Sequence, residues 1–207
     1  MWFLSWVGPP DPQSTGLVEA RRDLRMEIDE ALTELGGELG AEVLASSIVD
    51  ECYRGQRNYK VDTGYRHRCS LRGTVLVGFE GDFRSEMFDF DDFLKRSGWV
   101  ADEWPGQRAD EFWEMRAAES DDGTVDISRL GKASPTKGDL TLSFEYSGQE
   151  NLFSLERISE HQRNIFWGFG PPTYDTADLF DLDDVLEGQP YEHLVLIVVE
   201  GNYYSRA

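Results

Sequence analysis

Residues 63–79 read TGYRHRCSLRGTVLVGF, and their side chains alternate. Tyr65, His67, Cys69, Leu71, Val75, Val77 and Phe79 fall on one side of an extended chain, while Arg66, Arg68, Ser70, Arg72, Thr74 and Leu76 fall on the other. A period of two is the signature of a β-strand with one face on a core. At about 3.3 Å per residue the stretch outruns a usual strand, so Gly73 is expected to mark a bulge or bend.

Upstream, Leu17, Leu24, Ile28, Ala31, Leu32 and Leu35 recur at helical spacing, with Glu19, Arg22, Asp23, Glu27, Glu30 and Glu34 between them. The spacing predicts an amphipathic helix over residues 17–35, capped by Ser14 or Thr15 and ended by Gly36 and Gly37. Downstream, strands are expected over residues 124–130, 139–146, 164–169 and 193–204. In the last of these, Leu194 to Val199 is apolar on both faces, which predicts a central position. Thr136, Lys137, Gly138 and Asp139 have the composition of a turn between antiparallel strands. Residues 99–123 resist assignment, with Arg108 to Ala118 readable as a short helix or an edge strand.

Residues 86–94 (EMFDFDDFL) and 178–186 (DLFDLDDVL) share five identities, and each copy follows a Gly-Phe pair, Gly78-Phe79 and Gly168-Phe169. Each copy reads as a strand, a loop and a helix start, with Gly98 or Gly188 beyond the helix. Either an internal pseudo-duplication or independent helix-start chemistry accounts for the match. Together these elements predict one α+β domain over residues 16–207. Its antiparallel sheet is covered on one face by helices, giving a two-layer sandwich.

The 207 residues carry a formal charge of −20, with 40% apolar and 13% aromatic residues, so the acid must coat a packed body. Such a surface repels phosphate backbones and anionic lipid, which argues against nucleic acid as a partner. Basic residues are concentrated: residues 54–84 hold seven Arg or Lys against three acids, and residues 85–207 hold ten against 26. No stretch approaches the roughly 20 apolar residues of a membrane span. Residues 1–7 (MWFLSWV), within an N-terminal segment 1–15, nonetheless read as the outer end of a membrane anchor, or alternatively as a locally packed terminus.

Cys52 and Cys69 are the only cysteines. Gly55, Asn58 and Gly64 between them let the chain turn back, so a disulfide is expected, with buried free thiols or a reactive thiol as the alternatives. Closing such a loop contributes about 3 kcal/mol in an oxidising compartment.

The constellations that could carry chemistry are few. Arg66, Arg68 and Arg72 share a strand face beside Arg54, Arg57 and Lys60, a patch able to hold an anionic ligand or a protein partner through forked hydrogen bonds. Pairing with the protein's own carboxylates is the competing reading. Asp89, Asp91 and Asp92, like Asp181, Asp183 and Asp184, lack the spacing of a calcium loop and read as solvated helix starts; no metal or cofactor is expected. His67, His161 and His193 stand in no catalytic motif, and Ser134 and Lys137 share their spacing with a turn rather than a buried helix start.

The stretch from Cys52 to Tyr59 (CYRGQRNY), then Tyr65 to Cys69 (YRHRC), Gly78 to Arg84 (GFEGDFR) and Leu94 to Trp99 resembles uncharacterised exported or single-pass membrane proteins of actinobacteria over residues 48–100. The resemblance implies an extracytoplasmic α+β domain behind a membrane helix, which this sequence lacks, and no assigned activity. The expected function is a non-enzymatic extracytoplasmic interaction or binding domain. The alternatives are a small hydrolase using His161 or His193 with nearby carboxylates, and a cytoplasmic immunity-type interaction protein.

Overall fold

The alternating stretch becomes β2 (His67–Phe79). It lies antiparallel between β1 (Glu42–Arg54) and β6 (His193–Arg206). A computed structural model describes residues 10–38, 42–55, 64–117, 133–148, 173–181, 184, 185, 187, 191 and 193–206. The sheet is completed by β3 (Thr136–Lys137), β4 (Leu140–Gly148) and β5 (Tyr174–Asp178), in the order β3-β4-β6-β2-β1-β5. As expected, β6 is central, and Gly138 at φ 60° makes the turn between β3 and β4. The strands expected over residues 124–130 and 164–169 lie outside the described residues.

Among the described residues, three helices cover one face, here called the inner one: α1 (Thr15–Glu38), α2 (Phe83–Arg96) and α3 (Pro105–Ala117). The two-layer α+β arrangement is therefore the one expected. The α1 side chains Leu24, Ile28, Leu32 and Leu35 join Leu71, Val75 and Val199 in the main core, and Phe83, Met87, Phe90 and Leu94 of α2 join Phe144, Tyr146 and Val195. The opposite, outer face carries a smaller apolar cluster of Leu76, Leu194, Leu196 and Val198.

Several expectations are corrected. Gly73 makes no bulge: it pairs in register with Ile48 and Val199, and a Cβ there would lie 2.4 Å from Ile28 Cγ2 and 2.6 Å from Leu32 Cδ1. The residue is small because α1 presses onto the sheet at that point. The register shifts fall instead between Val43 and Ala45 and between Cys69 and Ser70. Helix α1 also runs through Gly36 and Gly37 to Glu38.

Among the described residues, the two copies of the acidic repeat differ in where they pack, although the second also turns helical at Asp184 and Val185. Residues 86–94 are wholly helical within α2, whereas Asp178 ends a strand; Phe180 and Val185 then pack on the outer face rather than beside the helices. Helix α2 begins at Phe83 with Asp82 as its cap and closes over Gly98 at φ 82°, so Asp89, Asp91 and Asp92 lie along its middle, not at its start. Asp91 is not solvated. It is 2% exposed and accepts hydrogen bonds from the backbone N–H groups of Gly106 (2.8 Å) and Gln107 (3.1 Å), which tie the first turn of α3 to α2.

Candidate functional site

Because β1 and β2 pair with Cys52 opposite Cys69, the two side chains meet on the inner face, where they form a disulfide. One row inward lies a polar network: Tyr203 Oη donates to Asp50 Oδ1 at 2.7 Å, Arg21 Nε stands 2.7 Å from Asp50 Oδ2, and Cys52 Sγ is 3.4 Å from Tyr203 Oη. The Arg21 Nε contact is an ion pair by distance without the alignment of a hydrogen bond. Tyr174 and Tyr203 place ring faces under the same guanidinium. Burial pushes the Asp50 carboxyl above its ordinary range, against the opposing pull of Tyr203 and Arg21, and burial likewise raises the Tyr203 phenol. Every charge here has a partner, which is the composition of a structural network.

On the outer face, Arg72 Nη2 meets Glu200 Oε2 at 2.7 Å and Arg68 Nη2 lies 3.5 Å from Glu200 Oε1, while Arg68 Nε bonds Asn202. Register explains the arrangement, since Arg72 and Glu200 are directly opposed across β2 and β6. Two of the three arginines singled out by sequence are thus engaged by the protein's own carboxylate. Arg66, the third, is exposed just before β2, its backbone N–H bonded to the carbonyl of Arg206.

The next row beyond the disulfide is different in kind. His67 is opposed by Arg54 on β1 and by Arg206 on β6, so an imidazole sits between two cations in one cross-strand row, with Arg66 adjoining. All three arginines are exposed, whereas His67 is 6% exposed and its Nδ1 has no hydrogen-bond partner among the described residues. Desolvation, followed by the nearby Arg54, Arg206 and Arg66, holds His67 below its usual pKa. Among the described residues no carboxylate comes within ion-pair distance of these three arginines, in a chain with 40 acids. Like charges opposed across strands destabilise a sheet, so the row is unfavourable unless something anionic joins it. Arg54 lay inside the basic segment visible in the sequence. Arg206 gave no such signal, because only the β2–β6 register carries it there.

Two further expectations concern histidines. His193 packs its ring against Phe79 (5.3 Å) and Phe83 (5.5 Å), with Nδ1 buried and unpartnered among the described residues, so it belongs to the aromatic core. His161, Arg57 and Lys60 lie outside the described residues, as do residues 1–9 of the N-terminal segment. Among the described residues, no helix is long and apolar enough to cross a membrane, and no three His, Cys, Asp or Glu side chains are grouped to hold a metal ion. Comparison with protein-family models, curated proteins and solved structures finds no match for this chain.

Proposed function

We propose that the chain is a non-enzymatic extracytoplasmic binding domain that receives an anionic group at the sheet end formed by Arg54, Arg66, His67 and Arg206. The observation carrying this reading is the row in which two arginines oppose each other across a buried histidine with no acid among the described residues to balance them. Arg68 and Arg72 shape the neighbouring surface through Glu200. The disulfide supports an oxidising compartment, and the resemblance to exported actinobacterial proteins points the same way. The net charge of −20 disfavours extended polyanions, so the partner is expected to present a localised negative group.

Two measurements test the two halves. Titration with inorganic phosphate, acetate and a polyglutamate peptide, followed by amide NMR, should move resonances at positions 54, 66, 67 and 206. Shifts scattered over the surface, or none, would end the binding assignment. For the compartment, protein taken from its native host with thiols blocked at lysis should contain no blocked Cys52 or Cys69; quantitative blocking of both would place the chain in the cytoplasm.

A further inference from the structure

We infer that the arginine row is a seat for a tetrahedral oxyanion, a terminal phosphate or sulfate group, and that filling it draws a proton onto His67. This rests on the proposed anion-binding reading and adds the class of anion and the response to pH.

Geometry selects the class. Neighbouring strands lie about 4.8 Å apart, so Arg54 and Arg206, one strand to either side of His67, stand about 10 Å apart at the backbone. Both arginines are exposed, they flank His67 from opposite sides, and each lies near enough to bear on its charge. A carboxylate carries both oxygens on one side and satisfies one fork bidentately. A tetrahedral group offers oxygens in both directions and engages both forks together. Between them His67 has a buried Nδ1 with no partner among the described residues, and Arg66 stands just before β2.

The proton response follows from the groups facing His67. On β1 it faces Arg54 and on β6 Arg206, and Arg66 immediately precedes it; the adjoining row is the uncharged disulfide, and Asp50 one row further is held by Arg21 and Tyr203. Without a ligand, every nearby charge that bears on His67 opposes its protonation. An oxyanion over the row cancels that opposition and offers the imidazolium a strong acceptor. Binding then takes up a proton, so affinity rises as the pH falls through the range where His67 titrates.

The test uses calorimetry and NMR on the whole disulfide-bonded chain with inorganic phosphate, sulfate, glycerol phosphate and acetate. Phosphate and sulfate should bind at least about tenfold more tightly than acetate, with either Arg54→Gln or Arg206→Gln removing about tenfold, the scale of a lost charge-assisted hydrogen bond. Sulfate, which does not itself titrate near neutrality, should raise the midpoint of the His67 ring-proton titration, and His67→Gln should abolish the pH dependence of sulfate affinity while the exposed Arg96→Gln leaves it intact. Glycerol phosphate binding at least as well as the free ion identifies a group carried on a larger molecule; weaker binding identifies the free anion, and both outcomes support the seat. Equal affinity for acetate, or an unmoved His67 titration, would overturn this inference while the anion-binding reading stood. Failure of all four probes and of the polyglutamate peptide would overturn both.

Discussion

At the level of single residues, the titratable groups divide into those the fold has balanced and those it has not. Asp50 is balanced yet buried. Its raised pKa means that the unfolded chain gives up this proton first as the pH rises, so between the ordinary value of 3.8 and the raised one the native state binds more protons. Stability attributable to Asp50 therefore falls as the pH rises through that window. Urea unfolding of the wild type and Asp50→Asn across pH should show the wild type losing ground to the variant there; parallel curves would remove the burial argument. Burial raises Asp91 likewise, against the hydrogen bonds from Gly106 and Gln107. Asp91→Ala leaves two backbone donors short of an acceptor, and a loss of about 1–3 kcal/mol is expected from denaturant titration. Among the described residues, the arginine row is the unbalanced case. Arg206→Thr should stabilise the unliganded protein by about 0.2–1 kcal/mol at low ionic strength, the gain fading as salt screens the repulsion. A destabilised variant would mean that Arg206 already has its partner.

At the level of elements, small residues decide how the layers meet. Gly73 and Gly201 leave room on the inner face for α1: added methyls would meet Ile28, Leu32 and Leu24 at 2.4–2.7 Å. Gly73→Ala should cost about 1–3 kcal/mol as the helix is pushed off the sheet, measured as a drop in melting temperature with the disulfide intact. No change would show that α1 can shift freely. The pairing of β1 with β2 is closed at one end by Cys52 and Cys69, and replacing both by Ala should lower stability by about 3 kcal/mol. A loss well below that would mean the unfolded chain is already held compact. The course of β2, β4, β6 and α1 was legible because one or both faces are uniformly apolar. Strand β1 was not: its register shift at Val43 and Ala45 breaks the period of two, and the polar Ser46 and Asp50 interrupt one side while Val49 and Glu51 are buried on the other.

For the whole molecule, charge and cysteine content bounded the answer, and topology placed it. Hydrophobic periodicity is local and depends only on which way successive side chains point, so the sequence alone determined the α+β class and the central place of β6, while turn composition marked Gly138 and left a Cys52–Cys69 bridge as an expectation that the structure bears out. Register is not local, because it is set by which strands neighbour one another and by where the ladder slips. Only the tertiary structure decided that Glu200 meets Arg68 and Arg72, that Asp91 turns inward to hold α3, and that Arg206 arrives opposite His67 from the far end of the chain. On the face where the alternation gathers Arg66, Arg68 and Arg72, two of the three are engaged by Glu200, and the row proposed for binding lies with His67 on the other face.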